Sequence, residues 1–395
     1  MSHPVSAHAG LTIEGLCEGF DVPDHVLKFE DVPGGEVVFG PGKLSVIGEK
    51  ASGLGATRVL LVTDPGLRKA GHEDRCLGFL RDAGLDAFVF DEVRENPTTT
   101  DVARCVEAAR GHKIDLIVGL GGGSSMDTAK GANFILTNGG EMKDYWGVNK
   151  AGKPMLPMIA VPTTSGTGSE CQSFALIAEA KTHAKMACGD KKAAAAVAIL
   201  DPELTLTQPR SVTVHTGIDA ISHALETAVC NKRSAVSLAY SRIAWLLLND
   251  GFEKVLADPD DLEARARMQL GAAFAGTAIE NSMLGIAHSC ANPLTAHFGT
   301  VHGQAVGVML PHTIRFNRQD PEIAAIYEEF GGADLDHRIE NLLRLSDMKT
   351  EIAPFGVTDE IIPQLADEAA EQWTAQFNPV PVSADDLVGV FRGAL

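Results

Sequence analysis

Five runs of apolar residues, separated by helix-like stretches, most constrain what this chain can fold into: RVLLVTD (58–64), DAFVFDEV (86–93), IDLIVGL (114–120), MLPMIAVP (155–162) and AAAAVAILDPELT (193–205). A strand covered on one face alternates apolar and polar residues, whereas a strand apolar at nearly every position needs cover on both faces. The intervening segments, such as TTTDVARCVEAAR after Asn96-Pro97, carry helical spacing. The pattern predicts a parallel sheet with helices on both sides, an architecture suited to nucleotides. EVVFGPG (36–42) adds a short strand and turn ahead of it. From about residue 210 the pattern changes to Ala- and Leu-rich helical runs, including SAVSLAYSRIAWLLL and EARARMQLGAAFAGTAIENSMLG. The expected organisation is therefore two-domain, α/β plus all-α. It comprises an N-terminal extension over 1–30, an α/β domain of nucleotide-binding style over 31–205 and an all-helical domain over 206–395.

Charge and cysteine usage narrow the function classes. With 33 basic against 52 acidic residues the formal charge is −19, which argues against nucleic acid or an anionic membrane surface as partner. The seven cysteines are dispersed and form no C-x-x-C pair, so neither a disulfide framework nor a cysteine zinc site is expected. No Lys or Arg precedes Lys28, and no apolar run has the length of a signal or a membrane span. These features imply a cytoplasmic protein with reduced thiols.

The third apolar run leads into GLGGGSSMDTAKGANFIL. Gly121, Gly122 and Gly123 let a backbone come close to a ligand, and the helix opening at Ser124 would turn its free N–H groups toward it, a geometry that binds a pyrophosphate. The same residues serve equally as a tight strand-to-helix turn. Asp64, at the tip of the first run, has two readings. It can accept hydrogen bonds from ribose hydroxyls and repel a 2′-phosphate, favouring NAD over NADP, or it can cap the helix that begins at Pro65. VPTTSGTGSE (161–170) either wraps a polar ligand or makes a polar turn.

A second constellation lies in the helical half. Asp219 and His223 stand four apart in GIDAISHALE with no Gly or Pro between them, so a helix projects both from one face. His288 and His302 follow, separated by turn-forming Asn292-Pro293 and Gly299, so the chain can fold back to bring two more imidazoles to the same point. One carboxylate and three imidazoles suit Fe(II) or Zn(II) and would hold Mg or Ca poorly.

GGGSSMDTAK, PTTSGTGSE, VAILDPELT, GIDAISHALE, LGIAH and HGQAVGVMLPHTIRFN occur in the order, and at about the spacing, found in the iron-containing (group III) alcohol dehydrogenases. The chain resembles that family from about Phe29 to its C-terminus. The resemblance implies Asp219, His223, His288 and His302 as ligands of a catalytic metal. For NAD it implies Gly121, Gly122, Gly123 and Ser124 as the pyrophosphate loop, Thr163, Thr164 and Thr167 beside the nicotinamide half, Asp64 at the adenosine ribose and Lys185 along the cofactor. Asp127 belongs to the same motif, where an acid in the first helical turn also favours the helix dipole. The implied substrate is a small alcohol or aldehyde, and the implied assembly a homodimer or larger homo-oligomer.

One position departs from the family. Many members carry a histidine four residues after the third ligand; this chain has Asn292, which cannot titrate, and Leu294-Thr295 replaces the usual Leu-Gly. His297 and His312 are the nearby alternatives for a proton relay. The expected reaction is hydride transfer to NAD from an alcohol whose developing alkoxide the metal stabilises. Three other readings share the scaffold: a metal-independent reductase of the maleylacetate type, a lyase of the dehydroquinate synthase type, and a non-catalytic NAD-binding protein.

Overall fold

The computed structural model describes residues 11–182 and 184–395. The opening ten residues of the expected extension lie outside the described residues. The remainder of that extension contains two four-residue helices, Ile13–Leu16 and Asp24–Leu27. The chain divides into two compact units. The first runs to Thr164 and takes in Gly168–Gln208, and the second comprises Ser165–Thr167 and Pro209–Leu395.

The first unit is α/β. Its strands are β1 (Glu36–Phe39), β2 (Arg58–Val62), β3 (Asp86–Phe90), β4 (Leu116–Gly121), β5 (Gly147–Val148), β6 (Met158–Pro162), β7 (Phe174–Ala178), β8 (Lys185–Gly189) and β9 (Val197–Leu200). Six of them form a parallel sheet in the order β1-β9-β6-β4-β2-β3. β4 and β6 are buried along their whole length, as continuous apolar runs require. The sheet separates two apolar layers, one around Leu60, Val62, Ile117 and Met158, the other around Val59, Leu61, Val118 and Ile159. A second sheet, β5-β8-β7, was not expected from the sequence.

From β2 the chain runs outward to β3 and then returns to β4 on the opposite side of β2. The strand order therefore reverses between β2 and β4, and ligands of open parallel sheets settle beyond the carboxyl ends of strands at such a point. Asp64 follows β2, and the three glycines span the end of β4 and the start of the next helix. The helix Gly123–Asn138 packs closely on β4, since a Cβ on Gly119 would stand 3.4 Å from the Met126 Cα and 3.0 Å from the Met158 Cε.

The second unit is helical. Arg210–Val229, Ala235–Ala257 and Leu262–Glu280 are its long helices, followed by Ile286–Phe298 and His302–Asn317. Their faces are largely apolar all round, as befits helices in the interior of a bundle. Gly299, at φ 64°, ends one helix in the left-handed region that glycine adopts without strain, and only Thr300 and Val301 separate it from the next. Among the described residues no helix is long and apolar enough to cross a membrane.

Candidate active site

In the second unit, the helix Arg210–Val229 carries Asp219 and His223 on one face, as their spacing requires. His288 lies in the first turn of Ile286–Phe298, and His302 opens His302–Asn317. That last helix crosses the first at very short range: a Cβ on Gly303 would fall 2.1 Å from the His215 carbonyl oxygen. Only glycine permits this approach, which brings His302 to its partners.

The three expected imidazole ligands converge on one oxygen of the fourth, Asp219. Asp219 Oδ1 stands 3.4 Å from His223 Nε2, 3.5 Å from His288 Nε2 and 3.7 Å from His302 Nε2. Asp219, His288 and His302 also offer ligand atoms within 4.8 Å of one another. Bonds of about 2.1 Å to a tetrahedral ion separate its ligand atoms by about 3.4 Å, so these spacings have the size of a transition-metal site. Asp219, His223 and His288 are each only 5% exposed, yet Asp219 Oδ1 and His288 Nε2 have no hydrogen-bond partner among the described residues. Buried polar atoms without partners are costly, and a bound cation would satisfy both. The donor set and its geometry fit a divalent transition metal.

The electrostatics agree. Burial pushes the Asp219 carboxyl up, but the imidazoles of His223, His288 and His302 outweigh it and hold the group well below the usual carboxylate range. Burial lowers His223 against the pull of Asp219. His288 is also disfavoured as a cation by burial, but Glu226 and Asp219 raise it to about 9. Sequence reasoning missed Glu226, which is 2% exposed. Its Oε2 meets His288 Nδ1, and its Oε1 accepts the Ala287 amide at 2.8 Å. Its position three residues after His223, on the ligand-bearing face, was the available signal.

Asn292, the departure from the family pattern, donates to Gln372 Oε1 at 2.9 Å. His297 pairs with Glu368 at 2.8 Å, both partly exposed, and burial drives His312 down to about 4, beside Arg315.

In the first unit the structure brings most of the expected cofactor residues together. Gly121 ends β4 at φ 150°, and a Cβ there would lie 2.3 Å from Ser125 Oγ and 3.3 Å from Leu67 Cδ1. The Thr163 amide donates to the Gly121 carbonyl at 3.0 Å, and the Thr164 side chain borders Gly122, 3.2 Å from where its Cβ would be. Gly123 and Ser124 form the first turn of the following helix. Asp64 does cap its helix, with Oδ1 accepting from Gly66 at 2.8 Å and Leu67 at 3.2 Å. Oδ2 takes no part in that cap. Thr167 belongs to the second unit.

Asp127 corrects the sequence reading. The helix already begins at Gly123, so Asp127 falls beyond its first turn and gains little from the dipole. Its carboxylate instead accepts from Ser169 Oγ at 3.1 Å. Burial raises it to about 6 against the pull of Lys130 and, among others, Lys185, which opens β8. Lys130, unassigned from sequence, is fully buried and donates to the Ser169 carbonyl (2.7 Å), Ser169 Oγ (2.9 Å), the Gln172 carbonyl (2.8 Å) and the Phe174 carbonyl (3.0 Å). It organises the end of the TTSGTGSE segment.

Comparison with known proteins bears directly on this arrangement. Residues 34–202 match the family described as iron-containing alcohol dehydrogenase, and residues 213–395 match the Fe-containing alcohol dehydrogenase family C-terminal domain. The chain is 34% identical over 371 residues to the NAD-dependent methanol dehydrogenase of Bacillus methanolicus, covering 91% of this chain and 97% of that protein. It is likewise 34% identical over 371 residues to the 1,3-propanediol dehydrogenase of Citrobacter freundii, covering 90% and 96%. A crystal structure of 1,3-propanediol oxidoreductase superposes with a TM-score of 0.87 at 32% identity, covering 91% and 98%. The chain belongs to the iron-containing alcohol dehydrogenase family and is an NAD-dependent alcohol oxidoreductase of that family.

Proposed function

We propose that the chain is a metal-dependent dehydrogenase of small primary alcohols or diols, using NAD, with Asp219, His223, His288 and His302 as the ligands of Fe(II) or Zn(II). The observation that carries this reading is the convergence of three Nε2 atoms on the one unpartnered oxygen of Asp219. The ion would supply Lewis acidity, favouring loss of the hydroxyl proton and polarising the carbonyl in reverse.

The protein's own groups do the rest. Asp219 stays ionised because three imidazoles surround it. Burial of Asp219, His223 and His288 strengthens the charge interactions among them. The Gly121–Ser124 turn offers backbone N–H groups to a pyrophosphate, and Asp64 Oδ2 accepts from ribose hydroxyls while Oδ1 holds the helix cap. Thr163, Thr164, Thr167, Asp127 and Lys185 belong to the same cofactor reading. Asn292 cannot accept the hydroxyl proton, and His297 is engaged by Glu368. Position 292 therefore supplies no titratable relay for that proton. Action in the cytoplasm fits the seven buried free cysteines, and a homodimer or larger assembly belongs to the same proposal.

Turnover of methanol, short primary alcohols and 1,3-diols with NAD, measured beside metal content, tests the reading. The wild type should reduce NAD with at least one of these, and Asp219→Ala should lose metal and turnover together. Full activity in metal-free Asp219→Ala protein would overturn it.

A further inference from the structure

We propose that Glu226 is a positioning residue for the metal centre: its carboxylate sets the tautomer and orientation of His288, so that His288 Nε2 presents a lone pair toward Asp219 Oδ1. The inference rests on the reading of Asp219, His223, His288 and His302 as metal ligands.

Glu226 shares a helix with Asp219 and His223. It is 2% exposed, and its two oxygens have different tasks. Oε2 takes the Nδ1 hydrogen of His288. A neutral imidazole, the form that ligates a metal, that donates through Nδ1 keeps its lone pair on Nε2, the atom 3.5 Å from Asp219 Oδ1 and without a hydrogen-bond partner among the described residues. Oε1 accepts the Ala287 amide at 2.8 Å. The helix Ile286–Phe298 needs such a donor's partner from elsewhere, because its N-cap, Gly285, has no side chain to supply one. One carboxylate therefore fixes both the backbone preceding His288 and the far edge of its ring.

The surroundings leave it little freedom. A Cβ on Gly285 would come within 3.1 Å of Glu226 Oε1 and of Asn378 Oδ1. Asn378 is held in a reciprocal amide pair with Asn317, at 2.7 and 3.2 Å. The glycine makes room for Glu226 to reach over the helix start, and the asparagine pair closes the opposite side.

Co(II) is the probe for this proposal, because its visible ligand-field bands report both occupancy and geometry at an Asp/His site. Wild type, Glu226→Gln and Glu226→Asp are stripped of metal, their thermal unfolding is compared without metal, and each is titrated with Co(II) against a competing chelator. Glu226→Gln keeps the shape, but its single amide oxygen cannot accept from both Ala287 and His288, and capping Ala287 turns its NH2 toward His288 Nδ1. It should bind Co(II) roughly 10–100-fold more weakly, with altered bands. Glu226→Asp keeps the charge one methylene short and should fall between the two, which keeps the test valid if the glutamine variant folds poorly. Co(II) affinity and bands within twofold of wild type in both variants overturn the role of Glu226 and leave the metal reading intact. A wild type that takes up no Co(II) removes the metal reading and this proposal with it.

Discussion

Asp219 Oδ1 and His288 Nε2 face one another at 3.5 Å, both buried, and neither has a hydrogen-bond partner among the described residues. Two polar atoms in that condition would each cost on the order of 1–3 kcal/mol. The helix that brings His302 to them crosses Arg210–Val229 at close range, and that crossing can be tested.

Gly303 permits that crossing. A methyl group there would meet the His215 carbonyl oxygen at 2.1 Å, and a backbone atom cannot step aside as a side-chain end can. Gly303→Ala should push His302–Asn317 away from Arg210–Val229 and withdraw His302 from its partners. We expect a loss of about 1–3 kcal/mol in stability, read by denaturant unfolding, with weakened metal retention. Unchanged stability and metal content would contradict this account of the crossing.

Lys130 carries the corresponding role in the first unit. Its three ammonium hydrogens are shared among four oxygens of Ser169, Gln172 and Phe174 from a fully buried position. Lys130→Met fills much of the same space but removes the buried ammonium donor from these oxygens, so unfolding free energy should fall by about 3 kcal/mol. NAD affinity, measured by titration of the folded variant, should fall with it. A variant as stable as wild type would show that the four hydrogen bonds contribute little net.

Glu170 makes stability depend on pH. Burial raises its carboxyl to about 7 from an ordinary value of 4.5, with Lys130 opposing the shift. A raised folded value means that the folded form holds the proton more tightly. The stabilisation is complete below 4.5 and is lost as pH rises through 7. Glu170→Gln removes this titration, so the variant should gain on wild type between those limits, by up to about 3 kcal/mol, and run parallel to it above them. Unfolding free energies between pH 4.5 and 8 check this, and parallel curves throughout would contradict it.

Asp64 separates its two readings in one substitution. Serine is as good an N-cap as aspartate, so Asp64→Ser should leave thermal stability nearly unchanged. If Oδ2 serves the ribose, the same change should raise the NADP-to-NAD ratio of kcat/KM by tenfold or more, since about 1.4 kcal/mol of lost repulsion is a factor of ten. An unaltered ratio would leave Asp64 as a cap alone.

These residues also mark where the sequence was legible. The parallel sheet was visible because strands covered on both faces, such as β4 and β6, are apolar throughout. The smaller sheet escaped because β5 has two residues and β8 begins at a lysine, while the Ala-rich β7 reads as readily as helix. Asp219 and His223 were evident because a helical turn is local. Glu226 stood in the same quoted segment, but its partner His288 lies 62 residues away and only the folded chain joins them. Lys130 is similar: it follows the glycine loop, and its acceptors begin 39 residues later. Asp127 was misread because the helix starts at Gly123, one residue before the expected Ser124, and tertiary contact with Ser169 claims its side chain.

The most direct test of the central claim is reduction of NAD by alcohols and diols on protein stripped with a chelator and reloaded anaerobically with Fe(II) or Zn(II). The account predicts that turnover disappears on stripping and returns with one of these metals, while Asp219→Ala protein recovers none. Stripped protein as active as the untreated enzyme would contradict it and make the four converging ligands a relic of the fold.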